Sequence, residues 1–219
     1  MRRVVTGMMA SLDGVMQAPG GPEEDPTGDF RFGGWTFPLW DQVGGETWRD
    51  TFTRPFALLL GRKTYEIFAA YWPHQSGEIA DPFNAATKYV ATSSNEPLEW
   101  ANSVKLEGDV VDAVTRLKQG EGPDLLTQGS ATLVRSLLAA GLVDELYLAT
   151  FPVLLGKGKR WFGEGSAPGE WAMVETLATT TGAILSRYRP NGPVRTGSFA
   201  SDDPSAAELE RRAGWKADG

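Results

Sequence analysis

The 219-residue chain contains no cysteine and one histidine, His74. Without cysteine there is no disulfide, no thiolate nucleophile, no cysteine-ligated zinc and no iron–sulfur cluster. A single histidine leaves imidazole metal cages and Ser-His-Asp triads with little to draw on, so no metal site is expected. No window holds 18 consecutive apolar residues, so no membrane span is expected. Basic charge is also short: 21 Lys and Arg face 28 Asp and Glu, a formal net charge of -7. A surface of that sign repels a phosphodiester backbone and argues against nucleic acid as a partner, while a local basic pocket for one small anion is still allowed. Met1-Arg2-Arg3-Val4-Val5 begins like a secretion signal. Its apolar run is broken by Gly7 and stopped at Ser11-Leu12-Asp13-Gly14 with no small-residue cleavage site, and a cytoplasmic protein is expected.

With 41% hydrophobic residues, the chain has enough for a sizeable core. Apolar runs at Val4–Ala10, Phe56–Leu60, Lys88–Thr92, Asp124–Thr127 and Asp144–Leu155 predict strands. Between them, residues 41–53, Thr64–Ala70, the Val110–Leu117 periodicity and Thr132–Ala140 predict helices. Alternation of this kind predicts an α/β fold, a mostly parallel sheet covered on both faces. Trp171–Thr180 and Ala183–Arg189, joined at Thr181-Gly182, predict a closing antiparallel hairpin. Residues 17–40 form a long loop, rich in Gly, Pro and acids first and in aromatics later. A loop of that length inside a domain is usually functional or disordered, and its aromatics argue against simple disorder. The expected organisation is a domain over 1–190 and a tail over 191–219. In the tail Asp203 would cap a short helix through Arg212, which Leu209 and Trp215 would dock on the body or on a second subunit, or else the tail is disordered.

Open α/β sheets bind ligands at the carboxyl ends of their strands. Three such ends here carry phosphate-friendly residues: Gly61-Arg62-Lys63-Thr64, Thr92-Ser93-Ser94 and Gly129-Ser130-Ala131-Thr132. Any one of them also reads as a capped helix or a polar turn; the three together suggest a dinucleotide. Competing motifs fail. Gly156-Lys157-Gly158-Lys159 lacks the frame of a P-loop, and no G-x-G-x-x-G follows the first strand.

Taken in order, Ser11-Leu12-Asp13-Gly14, Leu59-Leu60-Gly61-Arg62-Lys63-Thr64-Tyr65-Glu66, Gly129-Ser130 and Leu142-Val143-Asp144-Glu145-Leu146 running to Pro152-Val153-Leu154-Leu155-Gly156-Lys157-Gly158 resemble the dihydrofolate-reductase superfamily. The last segment points to the branch of the riboflavin-pathway bifunctional deaminase–reductase, in its reductase (pyrimidine reductase) domain and stand-alone relatives. The deaminase half is absent, so the resemblance implies a reductase alone, on a three-layer α/β/α fold. It further implies NADPH as cofactor and a homodimer. Met9, Ala10 and Met16 would line the nicotinamide, Gly61, Arg62, Lys63 and Thr64 would hold phosphates, and Thr92, Ser93 and Ser94 would take the 2′-phosphate. Gln128, Gly129, Ser130, Ala131, Thr132 and Leu133 would cover the pyrophosphate, although the family usually has Gly-Gly where this chain has Gln128-Gly129.

Hydride transfer needs the acceptor held in place, water excluded and a proton supplied. Asp13, Asp41 and Glu46 are the candidate acids. Each has a plainer reading, Asp13 as a turn residue and the other two as a solvated helix face. Trp35, Phe37 and Trp40 would form a lid over a flat heterocycle, or else fill a satellite core under the loop. Lys157, with Lys159 and Arg160, would receive a substrate phosphate, or else forms a basic surface turn; His74 reads as a loop residue. The function expected is NADPH-dependent reduction of a small heterocyclic C=N or C=O, the nearest family substrate being 5-amino-6-(5-phosphoribosylamino)uracil. The alternatives are a non-catalytic nucleotide or small-molecule binding module, a true dihydrofolate reductase, or, least supported, a flavin-binding protein.

Overall fold

A computed structural model describes residues 1–163, 166–200 and 203–217. In chain order the strands are β1 (Val4–Ser11), β2 (Phe56–Gly61), β3 (Lys88–Ala91), β4 (Ser103–Lys105), β5 (Asp124–Gln128), β6 (Glu145–Phe151), β7 (Trp171–Ala178) and β8 (Ile184–Pro190). The helices are α1 (Gln42–Asp50), α2 (Arg62–Tyr71), α3 (Ala80–Ala85), α4 (Val110–Gln119), α5 (Ala131–Ala139) and α6 (Ala206–Ala217). The strands form one sheet in the order β4-β3-β2-β5-β1-β6-β8-β7. The first six positions in that order are parallel, and β8 then joins β6 and β7 antiparallel. This is the mostly parallel sheet with a closing antiparallel hairpin that the sequence pattern predicts.

The apolar runs of the central strands are continuous because both faces are buried. Leu58 and Leu60 of β2 and Leu126 of β5 face one cluster, with Trp48, Tyr65 and Phe83 from α1, α2 and α3. Ala57, Leu59 and Leu125 face the other, with Val114 of α4 and Leu133, Val134 and Leu137 of α5. Neighbouring residues on a strand therefore serve opposite cores, and the parallel register Gly7↔Gln128 places the end of β5 beside the middle of β1.

Two expectations differ in extent, and two elements were not anticipated. The strand anticipated over Asp144–Leu155 stops at Phe151: Pro152 has no N–H for the ladder, and the following loop turns back toward the β1 exit. In the tail the helix starts at Ala206, with the Ser205 hydroxyl accepting from Glu208 N at 3.3 Å, so the capping position is Ser205 rather than Asp203. It runs on past Arg212, and Leu209 and Trp215 are exposed on it. Finally, α3 and β4, six and three residues long, are too short to show a period in sequence. Among the described residues no helix is long and apolar enough to cross a membrane.

Candidate active site

The helices differ in how their first turns are satisfied. Asp41 caps α1 by accepting from Gly44 N at 2.7 Å, and Asp109 caps α4 by accepting from Val111 N and Asp112 N. Neither α2 nor α5 has a side-chain cap. Their N-terminal N–H groups, with the positive ends of both dipoles, converge on one cleft of about 740 Å³ at the carboxyl ends of β1, β2 and β5. Ser130 joins them, its hydroxyl accepting from Gly61 N at 2.9 Å and donating to Thr64 Oγ1 at 2.8 Å. A Cβ at position 61 would lie 3.2 Å from the Ser130 oxygen, and Gly129 takes φ +71°, so both glycines are needed for this approach.

The cleft brings together Met9, Met16, Gly61, Arg62, Lys63, Thr64, Gln128, Gly129, Ser130, Ala131, Thr132 and Leu133 of the residues expected to bind cofactor. Ala10 is buried behind the wall. Thr92, Ser93 and Ser94 lie outside the lining, in the turn after β3, where Thr92 Oγ1 accepts from Ser94 N at 3.0 Å and Ser94 Oγ accepts from Glu96 N at 3.1 Å. Arg62 bonds this turn through Glu96 O (3.2 Å) and Glu96 Oε2 (2.9 Å), and its Nε donates to Glu66 Oε1 at 2.6 Å. Among the lining residues unmarked in the sequence are Arg135, one turn into α5, and Trp48, on the buried face of α1. Arg135 and Lys63 form no ion pair among the described residues. Gln128 Nε2 is buried without a hydrogen-bond partner among the described residues. Open helix ends, two cations without carboxylate partners, an unmet amide donor and an apolar wall of Met9, Met16 and Trp48 fit a dinucleotide with a flat ring at one end. A second, more open hollow of about 980 Å³, against Tyr65 and Trp100, carries Glu66, Glu96 and Glu99 and is the poorer match for phosphate.

None of the three nominated carboxylates lies in the cleft lining. Asp13 clamps two loops: it accepts from the Ser11 hydroxyl at 2.6 Å, Leu155 N at 3.1 Å and Gly156 N at 2.8 Å, and pairs with Arg160 at 3.3 Å. The Ser11 bond, against a smaller rise from burial and with help from the two N–H groups, holds its pKa at about 2. Asp41 is held below the carboxylate range by Gly44 N and by the Thr180 hydroxyl and N–H. Glu46 is exposed and accepts from Gln42 Nε2 at 2.9 Å.

The aromatic half of the 17–40 loop packs mostly inward. Trp35 is 8% exposed, lies edge-on to Phe151 and donates to Gln17 O at 2.9 Å, and Trp40 packs on Trp48 and Phe151. Phe37 is exposed, and Lys157 lies on the exposed loop after β6; neither lines the cleft. The part of the loop that does line it is the other half, Gln17–Gly20 with Glu24 and Asp25, beside Lys159. The acids of this half are visible in the sequence, but nothing local marks them as facing the strand ends. His74 is exposed in a short turn after α2. Among the described residues no group of three or more His, Asp or Glu is placed to hold a metal ion.

The family model of the RibD C-terminal domain matches residues 2–185. The Bacillus subtilis (strain 168) protein YyaP is 25% identical over 196 residues, covering 87% of this chain and 96% of its own length. A second protein of that organism, YwjB, is 26% identical over 163 residues, covering 74% and 84%. Among solved structures, a putative riboflavin biosynthesis protein from Shewanella sp. PV-4 superposes with TM-score 0.61 at 18% identity, over 86% of this chain and 99% of its own. Dihydrofolate reductase from Enterococcus faecalis, solved in complex with NADP(H) and RAB-propyl, gives TM-score 0.55 at 18% identity over 86% and 96%. A pyrimidine reductase-like protein from Corynebacterium diphtheriae gives 0.53 at 15% over 89% and 93%.

Proposed function

The chain belongs to the RibD C-terminal domain family, a reductase family of dihydrofolate-reductase-like fold, and on that premise we propose that it is an NADPH-dependent reductase of a small flat heterocycle bearing C=N or C=O. The observation that carries the reading is the cleft between two uncapped helix N-termini, linked by Ser130. In this reading the N–H groups and side chains of Arg62, Lys63 and Thr64 hold phosphates, and Gly129–Leu133 lie along the pyrophosphate. The Thr92-Ser93-Ser94 turn, bound to Arg62 through Glu96, receives the 2′-phosphate and selects NADPH over NADH. When bound, the reduced nicotinamide supplies a hydride. Met9, Met16 and Trp48 present the apolar wall that keeps water from the reacting carbon. The aminouracil of riboflavin synthesis is the nearest family substrate.

The same reading takes the protein to be a cytoplasmic homodimer. One of the two edge strands, β7, supports association: among the described residues no strand pairs with its outer edge, and it exposes Met173 and Val174. Light scattering should then return twice the chain mass of 23.7 kDa.

Calorimetric titration with NADPH, NADH and FMN tests the cofactor. Tight NADPH and much weaker NADH are expected; binding of none of them sinks the proposal. A second reading, a non-catalytic nucleotide-binding module, is favoured by one observation: Asp13, Asp41 and Glu46 all lie away from the cleft. Single-turnover NADPH oxidation with a panel of pterins and aminopyrimidines separates the two.

A further inference from the structure

The cleft lining contains two carboxylates that the reading above leaves without a role, Glu24 and Asp25, and their surroundings differ. Asp25 is ion-paired with Lys159 and accepts from the Thr27 hydroxyl at 2.5 Å. Burial raises its pKa, but the Lys159 and Thr27 bonds outweigh that and hold it ionised. Glu24 has no ion pair among the described residues. Its Oε2 accepts from Gly20 N at 2.6 Å and Gly21 N at 3.2 Å, and no described donor reaches Oε1.

The loop is built to keep this carboxyl in place. Gln17, 4% exposed, donates to Asp25 O at 2.9 Å and Thr27 O at 2.8 Å and accepts from Lys159 N at 2.9 Å. Thr36 Oγ1 donates to Pro19 O at 2.7 Å and Gly34 N to Ala18 O at 2.8 Å, closing the loop on itself. A Cβ on Gly33 would lie 2.5 Å from Pro22 O and 2.6 Å from Gly21 O, and one on Gly20 would lie 3.1 Å from Glu24 Oε2. The carboxyl therefore sits on a fixed pair of glycine N–H groups, beside an ionised neighbour, with one oxygen free.

We propose that Glu24 is the proton donor of this cleft, delivering a proton from Oε1 to the nitrogen or oxygen of the C=N or C=O acceptor as its carbon is reduced. The inference rests on the reductase reading. The balance is a two-electron reduction: the acceptor carbon takes a hydride from the reduced nicotinamide dinucleotide, which is thereby oxidised. The π pair forms the new N–H or O–H bond with the Glu24 proton. Glu24 becomes a carboxylate held by Gly20 N and Gly21 N, and it recovers its proton from water. Burial raises the Glu24 pKa, the two glycine N–H groups oppose it without cancelling it, and the Asp25 charge adds to the rise, so the carboxyl keeps a proton to higher pH than an exposed glutamate.

The test is a carboxyl ¹³C NMR titration of the full chain with labelled glutamate, in which the signal missing from E24Q identifies Glu24. Glutamine keeps an oxygen for the glycine N–H groups, so the loop should hold its shape in that variant. Titration above the ordinary value of about 4.3 and above the other glutamates is expected; titration among or below them overturns the proposal. The second arm is stopped-flow NADPH oxidation with dihydrofolate and the pterin and aminopyrimidine panel. E24Q should slow any acceptor reduced by the wild type by about a hundredfold or more, abolish the fall in rate at high pH, and leave NADPH affinity within about twofold. E24D should restore part of the rate. E24Q reducing an acceptor at the wild-type rate overturns the assignment. Failure of the wild type to bind NADPH overturns the reductase reading, a result distinct from NADPH binding and reduction that survive E24Q unchanged.

Discussion

The two sides of the cleft are built in different ways. One side is the pair of helix N-termini after β2 and β5, positioned by parallel strands and joined by one hydroxyl, Ser130. The other is loop against loop, 11–36 held to 152–161 by Asp13, Gln17 and Lys159. On the first side, the geometry follows from where regular elements end, and a glycine followed by Arg-Lys-Thr announces it. On the second, the acids divide between building and chemistry. Asp13 is spent on holding loops together, whereas Glu24 lines the cleft with no described donor on its Oε1. Residue type alone does not separate these uses; partners more than a hundred residues away do.

If the two sides are independent constructions, each should be breakable alone. The largest expected effect is from Gly33→Ala, whose Cβ meets backbone atoms that cannot swing aside. It should cost about 2–4 kcal/mol and open the 17–40 loop to protease, while 2′,5′-ADP, a probe of the phosphate side, binds within a few fold of wild type. Asp13→Asn should cost about 1–3 kcal/mol at pH 7, since hydrogen bonds to a charged acceptor are lost. The folded pKa of Asp13, about 2, lies below its unfolded value, so its contribution is complete above about pH 4 and disappears as pH falls through 2. Urea unfolding between pH 5 and 2 should therefore show a smaller acid-induced loss in Asp13→Asn than in wild type. On the phosphate side, Arg62→Ala should weaken NADPH about tenfold more than NADH by calorimetry, with little change in melting temperature. Equal loss for both would move Arg62 to the pyrophosphate. The smallest effect is expected at Glu46→Gln, exposed on α1, which should leave stability within about 0.5 kcal/mol and NADPH oxidation within about twofold.

The fold was legible because its central strands are apolar on both faces and its helices alternate with them. Val4, Ala57, Leu59 and Leu125 have no polar alternation to mislead. The two helix starts beside the cleft were legible too: Gly61 and Gly129 each mark the end of a strand and the start of a helix. The acid side was not. Counting back from Gly61 leads to Glu46, but α1 turns that residue to solvent and puts Trp48 on the cleft. The aromatics of the 17–40 loop stand out in composition, yet Trp35 and Trp40 pack into the core beside Phe151, where burying ring area stabilises most. The residues that do reach the cleft from that loop are held there by Gln17 and by the backbone of residues 18–21, contacts with no sequence period.

The central claim is that a nicotinamide dinucleotide lies between the two open helix ends. Amide NMR of the ¹⁵N-labelled chain titrated with NADPH tests it directly. The N–H signals of Arg62–Thr64 and Ala131–Leu133 should shift together and saturate at one concentration, with the capped first turns of α1 and α4 unmoved. Shifts confined to the hollow around Tyr65 and Trp100, or none at all, would contradict it.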